Sequence, residues 1–276
     1  MNKITSNIIK GISGRLRRKK KASNPSEITW LQEKILKHQE DTIVKRHRFK
    51  KFEVAYKRPY ELLHTYRELF VNELYKFQTI QPSPVIIDCG ANIGLSVLYF
   101  KQLYPNAQIE AFEPDSQNFS LLTQNCNSNG LKQVTLHQAA VWTNNGTISF
   151  SANDSEASHI SESTAGNAVQ VPTVRLKDVL QKYTDIGMLK MDIEGAEWDV
   201  VQDIAAELSH VNHFFLEYHG KASETYKLNG IMDILKSAGF WVYIKNAADN
   251  LKHPFVEKTT NILYDVQLNI FCYRSK

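Results

Sequence analysis

From Pro84 onward, short apolar runs alternate with segments of helical periodicity. That alternation restricts the chain to a mostly parallel sheet with helices on both faces. Val85–Cys89 is an unbroken apolar run apart from Asp88, as expected of a strand buried on both sides. Leu95, Val97, Leu98, Phe100 and Leu103 follow at helical spacing and stop before Pro105. Residues 108–112 read as a second strand. Asp115 then caps a helix bearing Phe119, Leu121 and Leu122, which closes near Asn129-Gly130. Residues 134–141 read as a third strand.

An interruption follows. Residues 147–151 and 168–174 read as an inserted hairpin, with a long Ser-, Glu- and Ala-rich loop over 153–167 expected to be mobile. The alternation resumes with a strand at 187–193, a helix over about 196–208 and a strand at 213–218. A helix over 224–238 stops at Gly239, and strands at 240–244 and 268–273 close the sheet. No internal repeat is present.

Ahead of this body, two helical patterns occupy residues 26–80. One includes Trp30, Leu31, Ile35 and Leu36. The other runs from Tyr60 through Leu62, Leu63, Tyr66, Leu69 and Phe70 to Leu74. They are expected to cap the ligand cleft of a body spanning 81–276. Residues 1–25 stand apart. Ile4, Ile8, Ile9, Ile12 and Leu16 recur at helical spacing, and Arg15, Arg17, Arg18, Lys19, Lys20 and Lys21 add six charges with no acid in 1–21. Three readings fit: a disordered tail, a helix lying on an anionic membrane, or a nucleic-acid arm.

The overall charge of +4 is therefore local, and the remainder is slightly acidic. An acidic body is no platform for nucleic acid, and no nucleic-acid partner is expected. Cys89, Cys126 and Cys272 are an odd, sparse set without a C-x-x-C pair, so reduced thiols are expected rather than a disulfide framework or zinc site. Neither a secretory leader nor an 18-residue apolar span is evident. The expected location is the cytoplasm, with residues 1–21 as the candidate contact with the inner membrane surface. The oligomeric state is open.

In sheets of this kind, ligands bind beyond the carboxyl ends of the strands, where the strand order reverses. After the first strand comes Asp88-Cys89-Gly90-Ala91-Asn92-Ile93-Gly94. Asn92 and Leu95 stand where a dinucleotide fingerprint needs glycine, and there is no P-loop lysine. The turn suits an uncharged or zwitterionic ligand better than a pyrophosphate. The second strand ends in Glu113-Pro114, where an acid can accept hydrogen bonds from a ribose diol. The alternative for Glu113 is a charge placed at a helix N-terminus. Turn and acid together point to S-adenosylmethionine. Contacts are expected from Asp88, Gly90, Ala91, Asn92, Gly94, Glu113, Pro114, Ala140 and Asp192.

Residues 85–100, Ala111-Phe112-Glu113-Pro114-Asp115, Leu189-Lys190-Met191-Asp192-Ile193-Glu194-Gly195-Ala196-Glu197 and Glu217-Tyr218-His219 resemble the FkbM family of S-adenosylmethionine-dependent methyltransferases. Residues 66–75 match more loosely. The resemblance runs from about Tyr60 to the C-terminus, and the specificity lies in the joint occurrence and order of these motifs. It implies a doubly wound, seven-stranded class I (Rossmann-like) α/β fold and methylation of a hydroxyl, often on a sugar or secondary metabolite.

On the acceptor side, alternation places Asp192 with Glu194, and Glu217 with His219, if the strands extend that far. Neighbouring strands would then bring the four together. His219 is the candidate general base because its ordinary pKa lies near working pH, with acceptor binding and a structural role as alternatives. Asp192, Glu194 and Glu217 would orient it or bind acceptor hydroxyls. His213 reads as structural. No metal is assigned, the lesser alternative being a divalent cation on Asp192 and Glu194. The leading function is transfer of a methyl group to a hydroxyl of a glycan, glycolipid or secondary metabolite. A catalytically inactive S-adenosylmethionine-binding module, or a nucleic-acid or protein methyltransferase, is the alternative.

Overall fold

The computed structural model describes residues 28–49, 51–151, 159–160, 168–256 and 263–274. The tail readings fall outside these residues, as does nearly all of the 153–167 loop. No helix among the described residues is long and apolar enough to cross a membrane. The chain divides into two compact units, Met1–Tyr60 and Glu61–Lys276.

In the first unit, α1 (Trp30–Lys37) starts at a capping box. The Thr29 hydroxyl accepts from Gln32 N at 3.3 Å, and Gln32 Oε1 accepts from Thr29 N at 2.8 Å. Residues 45–49 and 52–56, inside the stretch expected to be a helical cap, are strands instead. β1 (Lys45–Phe49) and β2 (Phe52–Tyr56) pair antiparallel, with Arg46 and Glu53 joined across them at 3.0 Å. The β-branched and aromatic content of 52–56 outweighs the helical spacing of its neighbours.

The chain enters the second unit along α2 (Pro59–Tyr66), which continues as a π-helical turn over Arg67–Val71. There follow β3 (Val85–Cys89), α3 (Leu95–Leu103), β4 (Gln108–Phe112), α4 (Ser116–Ser128) and β5 (Val134–His137). Asp115 caps α4 as expected, accepting from Gln117 N and Asn118 N at 3.0 and 2.8 Å. The expected third strand is two strands. His137 pairs with Phe112, where β4 runs out, and the chain then changes partner. β6 (Ala140–Trp142), β7 (Gly146–Ser151), β8 (His159–Ile160) and β9 (Ala168–Arg175) form a separate sheet in the order β6-β9-β7-β8, which contains the expected hairpin as β7–β9.

After α5 (Leu176–Leu180) come β10 (Met188–Met191), α6 (Glu197–Asp203), β11 (His213–Gly220), α7 (Thr225–Ser237), β12 (Trp241–Ala248) and β13 (Val266–Tyr273). The main sheet has seven strands in the order β12-β13-β11-β10-β3-β4-β5. β13 runs antiparallel to both its neighbours, whereas β11, β10, β3, β4 and β5 are parallel. The order reverses between β3 and β10.

Alternation gives the sheet two distinct faces. Ile87, Cys89, Leu189, Met191, Phe214 and Leu216 enter one large core with Val200 and Val201 of α6 and Ile231 and Leu235 of α7. On the opposite face Phe215 meets Tyr75 edge-on at 4.7 Å and Phe271 at 5.2 Å, and Tyr75 stacks on Phe100 at 5.8 Å. Asp88, Lys190 and Phe215 are cross-strand partners, so they lie on this second face. The three cysteines are buried free thiols.

Candidate active site

The turn after β3 sits at the reversal. Gly90 adopts φ +83°, and a Cβ there would lie 1.9 Å from the Asp192 carbonyl oxygen. Only glycine lets the two loops touch. Gly90 N and Ala91 N donate to Phe112 O at 3.0 and 2.9 Å, tying the turn to the end of β4. Gly94, at φ +90°, caps α3. Asn92 takes the left-handed region at φ +48°, and its N–H donates to Glu113 Oε2 at 2.8 Å. Asp115 N donates to Glu113 Oε1 at 2.9 Å. Burial pushes the Glu113 carboxyl up to about 7 against these two bonds. Each of its oxygens keeps a second lone pair. Ala91 is buried within this turn, Ala140 is buried at the start of β6, and Pro114 is half-buried.

Asp88 is wholly buried and accepts from Ser96 Oγ at 2.5 Å. It lies within the sheet and braces the turn from below. Its charge partner is Lys190, to which the sequence reading gave no role. Lys190 is 2% exposed, with Nζ 3.5 Å from Asp88 Oδ1 and 3.6 Å from Asp192 Oδ2. It also donates to Cys89 O at 3.2 Å and to Gly90 O at 2.5 Å. Burial works to discharge this amine, but Asp192 and Asp88 outweigh it and hold its pKa above the ordinary value. One lysine thereby joins the floor of the turn to the strand beside it. A lone cation in the middle of a buried strand was the available signal, since such a charge needs partners.

Asp192 and Glu194 do not share a strand face as the alternation argument required. β10 ends at Met191, and the next residues turn, with Glu194 at φ +56° and Gly195 at φ +99°. Tyr264 fixes this turn. Its hydroxyl donates to Glu194 O at 2.5 Å and fills the space a Gly195 side chain would need. Glu217 and His219 do share a face, because β11 extends to Gly220. The four groups converge all the same. His219 Nε2 lies 3.6 Å from Glu194 Oε2 and 3.7 Å from Glu217 Oε1, and donor atoms of Asp192, Glu194 and His219 lie within 4.8 Å of one another.

A fifth group, quoted in the motif but assigned no role, completes the cluster. Glu197 is wholly buried, and its Oε1 lies 3.1 Å from His219 Nδ1. Gly195 N donates to both its oxygens at 3.0 Å, and Ile193 N donates to Oε1 at 3.3 Å. Burial opposes the imidazolium of His219. The bond to Glu197 and the charges of Glu197, Glu194 and Asp192 prevail, pushing its pKa up to about 10. Burial and mutual repulsion push Glu194 and Glu217 up to about 8. His213 is structural, with Nδ1 2.9 Å from Gly187 O and its ring 5.1 Å from Phe77.

The model of the "Methyltransferase FkbM domain" matches residues 88–242. Methyltransferase sdnD of Sordaria araneosa is 30% identical over 177 residues, 51% of this chain and 68% of that protein. The 2-O-methyltransferase NoeI of Sinorhizobium fredii is 29% identical over 214 residues, covering 69% and 84%. The 31-O-demethyl-FK506 methyltransferase FkbM of Streptomyces tacrolimicus is 24% identical over 215 residues, covering 64% and 81%.

Proposed function

Because the chain belongs to the FkbM methyltransferase family and S-adenosylmethionine is its methyl donor, we propose that it methylates a hydroxyl of a glycan, glycolipid or secondary metabolite. The observation that carries this reading is that the donor turn and the polar cluster share one residue. Asp192 N donates to Cys89 O at 3.1 Å beneath the Gly90 turn, while the Asp192 carboxylate joins Glu194 and His219. NoeI is a 2-O-methyltransferase and FkbM acts on 31-O-demethyl-FK506, which supports oxygen as the methylated atom.

The residues present fit the donor. The close Gly90 turn admits a ligand against backbone, and Glu113 has lone pairs for a ribose diol. The acid-rich edge suits a positive sulfonium. Gly90, Ala91, Asn92, Gly94, Glu113, Pro114, Ala140 and Asp192 would hold it, with the buried Asp88 bracing the turn behind them. When bound, it supplies an electrophilic methyl carbon, to which the acceptor oxygen bonds as the carbon–sulfur bond breaks and its electron pair returns to sulfur. The chain's own task is alignment and proton removal. Asp192, Glu194, Glu217 and His219 line the acceptor's edge, and the hydroxyl proton leaves into this cluster. Residues 1–21 would hold the protein at an anionic membrane, which suits a lipid-linked acceptor.

The test is incubation with methyl-labelled S-adenosylmethionine and extracts of envelope glycans, lipids and metabolites. Label should appear as an alkali-stable methyl ether on a hydroxylated small molecule. Label on protein or nucleic acid alone, or on nothing, overturns the reading.

A further inference from the structure

The polar cluster has the build of a metal centre. Asp192, Glu194 and His219 come from two neighbouring strand ends and each directs one donor atom to a common space, within 4.8 Å of the others. An acidic cluster alone says little. The imidazole adds the second observation. His219 is 5% exposed, and among the described residues its Nε2 meets only carboxylate oxygens beyond hydrogen-bond distance, at 3.6 Å (Glu194) and 3.7 Å (Glu217). Its other nitrogen is fixed by the wholly buried Glu197 at 3.1 Å. A carboxylate on one imidazole nitrogen, with the other presented to a carboxylate pair, is how proteins orient a histidine ligand. Glu197 is itself held by the N–H groups of Ile193 and Gly195, and the Glu194 turn by Tyr264. The donors are thus preset. Asp192 meets Lys190 through Oδ2 at 3.6 Å, and a carboxylate has a second oxygen to give.

We propose that Asp192, Glu194 and His219 bind a divalent first-row metal ion of the Mn²⁺ kind. One imidazole nitrogen with two carboxylates favours such an ion over Ca²⁺ or Mg²⁺, which take oxygen almost throughout. Three protein ligands leave positions open on the cleft side, as catalytic sites do. An acceptor hydroxyl entering there loses its proton more readily. Glu217, beside the site but outside the donor set, is placed to receive that proton. This role in transfer rests on the function proposed above; the binding does not.

The full-length chain, stripped with EDTA, is titrated with MnCl₂ while free Mn²⁺ is followed by electron paramagnetic resonance. One Mn²⁺ per chain should be taken up. Asp192→Asn, Glu194→Gln and His219→Gln should each weaken uptake about tenfold or more, and Glu197→Gln roughly 10–100-fold with all three ligands intact. A cooperative thermal unfolding transition with the parent's circular dichroism spectrum reports that each variant is folded, and a variant that fails this check is replaced by the others. No uptake by the parent chain, or equal uptake by every folded variant, overturns the site. Full methyl transfer in the stripped chain without uptake overturns the site and leaves the function standing. Uptake without transfer to any extract does the reverse.

Discussion

Glu113 holds two turns together and is also the residue proposed to meet the methyl donor. Its oxygens pin the Asn92 turn and the start of α4, at 2.8 and 2.9 Å, and each keeps a second lone pair that a ribose diol could use. Glu113→Ala should weaken S-adenosylmethionine binding by about 1–3 kcal/mol, measured by calorimetry. Wild-type affinity would remove Glu113 from the site. Burial raises its pKa from the ordinary 4.5 to about 7. The unfolded chain therefore releases this proton first. Stability from this group is fully present below about 4.5 and is lost as pH rises through about 7, a change of roughly 3 kcal/mol. The melting temperature of the ligand-free protein should fall more steeply from pH 5 to pH 8 than that of Glu113→Gln. Parallel curves would place the penalty elsewhere.

At the scale of elements, β10 and the two loops it borders depend on Lys190. Lys190→Met removes the charge partner of the wholly buried Asp88 and should cost about 3–5 kcal/mol in urea unfolding. A cost below about 1 kcal/mol would mean that Ser96 alone sustains Asp88. The elements differ in how far the sequence foretold them. β3, β4 and the capped α4 were legible because apolar runs, Asp115 and Gly130 mark their limits. The Glu217–His219 pairing was legible because β11 is straight through both. The Asp192–Glu194 geometry was not, since it depends on a left-handed turn fixed by Tyr264, 70 residues away in the chain. Lys190 and Glu197 were visible as residues but not as partners, because their roles come from a sheet register and a distant histidine. The β1–β2 hairpin went unread because its strands are short and flanked by helical patterns.

At the scale of the whole molecule, the positive charge is gathered in residues 1–21, away from a body that is slightly acidic. If that segment is an interfacial helix, the protein should sediment with anionic but not neutral liposomes, less so at high salt. Deleting it should abolish sedimentation while stabilisation by S-adenosylmethionine persists. Sedimentation without lipid dependence would return the segment to a plain tail. The sheet order has a different consequence. β13 is inserted between β12 and β11, pairing Glu217 with Asn269 and His219 with Gln267. The last of this sheet's seven strands in chain order is thus interior to it, and β12 has no neighbour in the sheet until it arrives. Such long-range pairing is slow to form. β3, β4 and β10 need no such wait, so the two halves of the active site mature at different times. During refolding from urea, capture of the methyl donor should return first, and turnover only once the last strand has slid in between β12 and β11.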